Sequence, residues 1–182
     1  RAYDRGFQTT WDVVPPALLL GLAAVTRPDG ILFGAAFTLA VGVLWLRPAR
    51  EVPFRRLIPV LAIPLTFVAA QLVFRLCYYG DWLPNTAYVK IAFTAERWKH
   101  GWEYLLAAIS AQRYLWIFIL LALVTGISIR ELRGRTVLFG LPLMLWLLYV
   151  VAVGGDYFPS FSFMMPAAVL GVLLLVDIVP AM

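Results

Sequence analysis

Three aspartates beside long apolar runs are the residues of this sequence best placed to do chemistry. Asp29, Asp81 and Asp156 each stand within a few residues of the end of such a run. A carboxylate in that position is costly unless it is solvated, paired or used, so each is a candidate for a functional site. Solvation at a helix end would also explain each of them taken alone.

Further polar residues in the same segments add groups that bind a phosphorylated sugar. Arg27 precedes Asp29, and Asn85 and Lys90 follow Asp81. Arginine binds phosphate oxygens through its planar fork and lysine binds them as a point charge. Asn85 suits a sugar hydroxyl, or it caps a helical turn. Together these residues predict a site for a polar, partly anionic substrate.

Aromatic side chains stand around these candidates. They suit stacking on a sugar face or on an isoprenoid chain, and equally the aromatic belt at a membrane surface. Tyr79 belongs to the predicted substrate-binding set. The other aromatic residues are Tyr78, Trp82, Tyr88, Tyr157, Phe158, Phe161 and Phe163.

Composition excludes several other kinds of site. One cysteine, Cys77, and one histidine, His100, provide neither an intrachain disulfide framework nor a histidine-cluster metal site. No metal ligands or cofactor are assigned, and a divalent cation on carboxylates stays open. The net charge of +5 fits membrane topology better than nucleic acid, because the basic residues stand beside apolar runs. No nucleic-acid partner is therefore expected.

The same composition predicts a membrane protein. Hydrophobic residues make up 63% of the 182 and charged residues 14%, with a mean hydropathy of +0.86. In soluble domains roughly 45–50% of the residues are apolar and about 25% are charged. Apolar runs of about 16–20 residues predict an all-α, polytopic transmembrane bundle that forms a single domain over residues 1–182. About six spans are expected, at 13–26, 31–46, 57–76, 114–129, 136–153 and 163–179.

Basic residues between the spans predict the orientation. Segments 47–56 and 130–135 are rich in arginine, and Arg1 and Arg5 stand in the N-terminal segment. The positive-inside rule places all three in the cytoplasm. Three other segments then lie on the outer face, where every candidate residue is found. They are 26–30, 77–113 and 154–162.

The long outer loop, 77–113, is expected to contain an interfacial amphipathic helix. Its apolar residues recur at helical spacing and its charged residues fall mainly on the other side. Such a helix is a membrane anchor, or a lateral wall that guides a lipid substrate into a site. The apolar residues are Trp98, Trp102, Leu105, Leu106 and Ile109, and the polar ones are Glu96, Lys99, His100 and Glu103.

Two outer segments, 80–85 and 155–160, share the order glycine, aspartate, aromatic, apolar, proline, polar. Both follow a predicted span. Either the two segments are paired elements of one site, or turn-forming residues at helix ends produce the shared order.

Three ordered motifs resemble the C-terminal half of bacterial GT-C membrane glycosyltransferases. They are Thr-Arg-Pro-Asp-Gly at 26–30, Tyr-Tyr-Gly-Asp-Trp-Leu-Pro-Asn-Thr-Ala-Tyr-Val-Lys at 78–90, and Gly-Gly-Asp-Tyr-Phe-Pro at 154–159. The resemblance covers nearly the whole chain. It is to the branch with mycobacterial-type terminal arabinofuranosyltransferases and mannosyltransferase-like relatives.

The resemblance implies an enzyme of the bacterial plasma membrane with its motif-bearing loops on the periplasmic face. Such an enzyme transfers a sugar from a polyprenyl-phosphate donor to a cell-envelope glycan or lipid acceptor, so its partners are donor, acceptor and membrane lipid. The family's catalytic acidic residue usually lies in the first periplasmic loop of the full protein. Because that loop is not in this sequence, which begins at Arg1, we expect a C-terminal fragment and assign no catalytic residue.

One position departs from the family pattern. Relatives often carry an arginine after the Gly-Gly-Asp element, whereas this chain has Ser160-Phe161-Ser162. The identity of the acceptor, and activity itself, are therefore open.

Two other classes of function compete with the glycosyltransferase. A transporter or flippase of a lipid-linked intermediate would have ionisable residues in mid-membrane, or broken half-helices in paired repeats. A non-catalytic membrane scaffold would tolerate loss of all three outer aspartates.

Overall fold

The computed structural model describes residues 12–46, 58–82, 94–156 and 160–179, and every regular element in these ranges is a helix. The all-α prediction is therefore confirmed for this part of the chain. The α-helices are α1 (Val14–Thr26), α2 (Ile31–Trp45), α3 (Ile58–Tyr79), α4 (Ala95–Ala111), α5 (Arg113–Ser128), α6 (Arg133–Ala152) and α7 (Met165–Ile178). Short 3-10 turns at Pro28–Gly30 and Ser162–Met164 precede α2 and α7.

Six of these helices lie where the six apolar spans were predicted, but their lengths do not confirm six spans. α3 and α6, with 22 and 20 residues, are each long and apolar enough to cross a membrane. The bent pair α4 and α5 would make a third span if it is counted as one. α1 has 13 residues and α2 has 15. At 1.5 Å per residue, neither covers a hydrocarbon core of about 30 Å alone.

The chain forms two compact units, one within residues 1–84 and one within 85–182. In the first unit, α1 and α3 run parallel. A Cβ atom on Gly21 would lie 2.6 Å from Phe67 Cδ2, and Gln71 Nε2 donates to the Val25 carbonyl oxygen at 3.4 Å. Both contacts join residues 46 positions apart. The C-terminal ends of α1 and α3 therefore lie at the same end of this unit.

Glycines let the helices of the second unit approach closely. A Cβ atom on Gly101 of α4 would overlap the carbonyl oxygen of Val151 in α6. One on Gly171 of α7 would overlap the side chain of Ile119 in α5. Small residues at such contacts are typical of helices in lipid, where van der Waals packing replaces the hydrophobic effect as the basis of association.

The helix predicted in the outer loop is present as α4, and it is nearly perpendicular to the helix that follows. Thr94 caps its start, where its Oγ1 accepts from the Arg97 backbone N–H at 3.3 Å. α4 ends at Gln112, and its axis makes an angle of 98° with that of α5. If α5 crosses a membrane, α4 runs along the membrane surface, which is the orientation expected of an interfacial helix.

α4 has three faces rather than the two that were predicted. Gly101, Leu105 and Ala108 are buried against the rest of the unit. Trp98 and Trp102 are exposed, and they form a second, apolar face with Leu106. Four exposed polar residues occupy the third face, and they are Glu96, Lys99, His100 and Glu103. Leu105, which was predicted on the apolar side of this helix, is 6% exposed and lies at the border between the buried face and the tryptophan face.

Candidate functional site

The turn between α1 and α2 joins two of the predicted residues in one ion pair. Arg27 donates from Nε and Nη2 to the two carboxylate oxygens of Asp29, each at 3.0 Å. This is the bidentate fork geometry of arginine with a carboxylate. The Asp29 side chain is 9% exposed and that of Arg27 is 51% exposed. Two of the five guanidinium N–H groups are thus engaged by Asp29.

The end of α3 carries an aromatic cluster that includes Tyr79. The Tyr78 and Tyr79 rings meet edge to face with centroids 4.8 Å apart, and Phe74 stacks on Tyr78 at 5.5 Å. All three rings are exposed. Asp81 follows two residues after Tyr79 and is half-buried. Exposed rings beside a carboxylate fit both uses predicted for the outer aromatics, sugar stacking and a membrane belt.

Four predicted site residues belong to the first unit, and the parallel helices α1 and α3 place them all at one end of it. They are Arg27, Asp29, Tyr79 and Asp81. Asn85 and Lys90 lie outside the described residues. Asp156 belongs to the second unit.

The second unit presents Asp156 directly after a well-formed helix end. Gly155 N–H donates to the Val150 carbonyl at 2.9 Å, and Gly154 N–H donates to the Val151 carbonyl at 3.2 Å. These two bonds define a Schellman motif at the end of α6. Gly154 and Gly155 have φ of +84° and +76°, which glycine adopts without the strain of a side chain. The backbone that carries Asp156 is therefore fixed by two glycines.

Gly80 ends α3 with a positive φ, as Gly155 does after α6, although its hydrogen bond reaches back four residues and that of Gly155 five. Its φ is +70°, and its N–H donates to the Leu76 carbonyl at 3.1 Å. Asp81 and Asp156 thus each follow a left-handed glycine that ends a helix. Helix termination accounts for the glycine that the two segments share, which supports the turn-chemistry interpretation for that position.

The chain returns to Asp156 through a second turn. Ser162 Oγ donates a short hydrogen bond to Asp156 Oδ2. Phe161 has left-handed backbone angles, φ 51° and ψ 42°. The buried Trp146 of α6 donates from Nε1 to the Phe163 carbonyl at 2.7 Å, which ties this turn to the helix. Asp156 is therefore oriented by a segment that is itself anchored.

α4 covers the Gly-Gly-Asp turn with Arg97 and Tyr104. A Cβ atom on Gly154 would lie 2.7 Å from Arg97 Cγ, and one on Gly155 would lie 2.5 Å from Tyr104 Cγ. The Tyr104 ring also meets Phe161 edge to face, with centroids 5.4 Å apart. The two glycines are thus required by packing as well as by φ.

The Tyr104 hydroxyl stays protonated at physiological pH. Burial raises the pKa of this phenol, the Phe163 backbone offsets part of the rise, and the Asp156 carboxylate raises the pKa further. Tyr104 is therefore a neutral side chain close to a carboxylate.

Sequence reasoning missed Arg97 and Tyr104. A signal was present, because Arg97, Gly101, Tyr104 and Ala108 recur every three to four residues, as one helical face does. The face mixes a charge, a glycine, a phenol and an alanine. A division of α4 into apolar and charged sides therefore hides it.

The described residues contain no group of three or more histidine, cysteine, aspartate or glutamate side chains that could hold a metal ion.

This chain is similar to the terminal β-(1→2)-arabinofuranosyltransferase of Corynebacterium glutamicum, with 28% identity over 177 residues. The match covers 88% of this chain and 24% of that enzyme, so the chain spans about a quarter of the relative's length. No family model matches the sequence. No solved structure matches it. The similarity indicates a distant relationship to glycosyltransferases, and together with the apolar helices it indicates a membrane protein.

Proposed function

We propose that this chain is part of a membrane glycosyltransferase of the GT-C type. The enzyme transfers a sugar from a polyprenyl-phosphate donor to a cell-envelope glycan or lipid acceptor on the non-cytoplasmic face of the bacterial plasma membrane. The observation that carries the proposal is the similarity to the arabinofuranosyltransferase, which extends over 88% of this chain. The chain corresponds to the C-terminal part of a larger enzyme, and its six apolar helices are the membrane-embedded elements.

Glycosyl transfer makes two demands on the protein. A carboxylate must deprotonate the acceptor hydroxyl, and donors of positive potential must stabilise the leaving phosphate. We assign Asp156 to substrate binding, because a carboxylate fixed by Ser162 suits a sugar hydroxyl as its next hydrogen-bond donor. The catalytic base comes from another part of the full enzyme.

The first unit contributes a second group of substrate-binding residues in this proposal. The Arg27–Asp29 pair, Tyr79 and Asp81 stand at one end of α1 and α3, and Asn85 and Lys90 follow in the chain. The basic segments 47–56 and 130–135 support the placement of this end on the non-cytoplasmic side.

A transporter is the second candidate, because the 98° break between α4 and α5 has the form of the broken helices at transport sites. The charges of α4 argue against it. Glu96, Lys99, His100 and Glu103 are all exposed on one face, where hydrocarbon would penalise them. An interfacial α4 beside an enzyme site avoids that cost.

Sugar transfer from a panel of radiolabelled polyprenyl-phosphate sugars tests the proposal. Membranes that express the full-length gene, its Asp81→Ala variant and its Glu96→Ala variant are compared. We expect transfer from one donor, lost with Asp81→Ala and kept with Glu96→Ala, because Glu96 is an exposed carboxylate on the polar face of α4. Donor translocation without any transfer would instead establish a transporter.

A further inference from the structure

Arg97 is held against the Gly-Gly-Asp turn by its stem. A Cβ atom on Gly154 would lie 2.7 Å from Arg97 Cγ and 3.6 Å from its Cδ. The Thr94 cap fixes the backbone of the same residue through a hydrogen bond of 3.3 Å. The backbone and the aliphatic stem of Arg97 are therefore both positioned by contacts.

The guanidinium group of Arg97 lacks one hydrogen-bond acceptor. Its Nη1 atom is buried without a hydrogen-bond partner among the described residues. A guanidinium keeps its charge in proteins, so it cannot relieve burial by losing a proton. Burying part of a charged group without a partner is unfavourable, and an anionic ligand at this point would remove that cost.

The neighbouring Asp156 does not serve as that acceptor in the described structure. It stands two residues beyond Gly154, and its Oδ2 accepts from Ser162. Asp156 Oδ2 is thus engaged by Ser162, and Arg97 Nη1 has no hydrogen-bond partner among the described residues.

Tyr104 adds a buried hydroxyl beside the same dipeptide. A Cβ atom on Gly155 would lie 2.5 Å from its ring, and Gly154 and Gly155 are neighbours whose Cα atoms are about 3.8 Å apart. The phenol oxygen is buried and forms no well-aligned hydrogen bond to the described residues. A protonated phenol is a donor that suits phosphate oxygen.

The exposed apolar face of α4 indicates that this phosphate is attached to a lipid. Trp98, Trp102 and Leu106 are 37%, 52% and 60% exposed. At 100° per residue their face is centred about 150° around α4 from the face of Arg97 and Tyr104. A molecule with a phosphate head and an apolar chain can contact both faces, whereas free phosphate uses only one.

We propose that Arg97 binds the phosphate group of a lipid-linked substrate, with Tyr104 as a neighbouring hydroxyl donor. The lipid chain lies along Trp98, Trp102 and Leu106. This assignment rests on the proposed function, because it names the residue that holds the donor of that reaction.

Binding to the full-length protein in nanodiscs tests the assignment without requiring sugar transfer. The probes are a sugar-free polyprenyl phosphate, the uncharged polyprenol and inorganic phosphate. We expect Arg97→Gln to weaken polyprenyl-phosphate binding about 10- to 100-fold, the range for a hydrogen bond to a charged group. Lys99→Gln removes the same charge from the exposed face of α4 and should change binding less than about twofold.

Equal binding by wild type and Arg97→Gln would overturn the assignment. If inorganic phosphate binds as tightly as the lipid, and its binding depends equally on Arg97, the claim that the phosphate is attached to a lipid is overturned. If Arg97→Gln does not fold, Arg97→Lys is the variant that tests the assignment. Lysine keeps the charge but not the planar fork of N–H donors, so we expect the affinity for polyprenyl phosphate to fall about threefold or more. Unchanged affinity of that variant would overturn the assignment too.

The two proposals fail separately in this design. Arg97-dependent binding of polyprenyl phosphate by a protein that transfers no sugar would support the phosphate site and refute the glycosyltransferase. Sugar transfer by a protein whose lipid binding is independent of Arg97 would support the glycosyltransferase and refute the phosphate site.

Discussion

Ser162 donates a hydrogen bond to Asp156 across the turn that follows α6. The bond orients a carboxylate on a backbone that Gly154 and Gly155 already fix. The position of Asp156 is thus specified by both its backbone and its side chain.

Removing this hydrogen bond should weaken the site without unfolding it. We expect Ser162→Ala to lower kcat/KM for sugar transfer about fivefold, the equivalent of about 1 kcal/mol for one hydrogen bond. Ser162→Thr keeps the hydroxyl and is the matched control. Steady-state transfer by the full-length enzyme measures both variants, and equal loss from the two would contradict the role of the hydroxyl.

Alanine substitutions at two glycines with positive φ distinguish the cost of backbone strain from the cost of side-chain overlap. Gly80 at φ +70° has open space where a Cβ would lie, whereas at Gly155 a Cβ would meet Tyr104. Gly80→Ala should therefore cost about 1–2 kcal/mol, and Gly155→Ala distinctly more. Thermal unfolding of the protein in detergent measures the difference. Equal losses would mean that Tyr104 moves aside freely.

Tyr104 should make stability fall at alkaline pH. Its pKa is raised in the folded protein above the ordinary 10.0, so the folded state holds this proton more tightly than the unfolded state. The resulting stabilisation is complete below pH 10.0 and is lost as the pH rises through the folded pKa. We expect wild type to lose more stability than Tyr104→Phe between about pH 9 and about pH 12. Parallel losses, measured by thermal unfolding, would contradict the burial of the phenol.

The Arg27–Asp29 pair should contribute modestly to stability. Asp29→Asn breaks a bidentate pair, but the Arg27 side chain is 51% exposed, so solvent screens the interaction. We expect a loss of about 1 kcal/mol or less in thermal unfolding, reduced further by salt. Glu103→Gln, which changes exposed contacts with Lys99 at 3.9 Å and His100 at 3.3 Å, is the control and should have almost no effect. A loss from Asp29→Asn that salt does not reduce would show a role beyond ion pairing.

The positions of the helices could be predicted from sequence, but the number of spans could not. Apolar runs locate α1, α3 and α6 because their composition alone makes them stable in lipid. Crossing a membrane also requires helix length, and turn-forming residues limit that length. α1 ends at Thr26 because Arg27 is extended before a proline, which disfavours the helical conformation of the preceding residue.

Only the part of the candidate site that has a local signal in the sequence could be predicted. Asp156 was predicted as a site residue because an aspartate beside an apolar run stands out in the sequence. Arg97 and Tyr104 were not found, because their contact with the Gly-Gly-Asp turn depends on how closely α4 packs on α6. That packing is set by Gly101, where any side chain would overlap the α6 backbone.

Sugar transfer by the full-length enzyme with Asp156→Asn tests the central claim most directly. The substitution keeps the size of the side chain and removes its charge, so membrane insertion should be unchanged while transfer falls by about tenfold or more. Glu96→Gln removes a charge from the exposed face of α4 and should leave the rate as it is. A transfer rate of Asp156→Asn equal to that of wild type would contradict the placement of Asp156 in the substrate site.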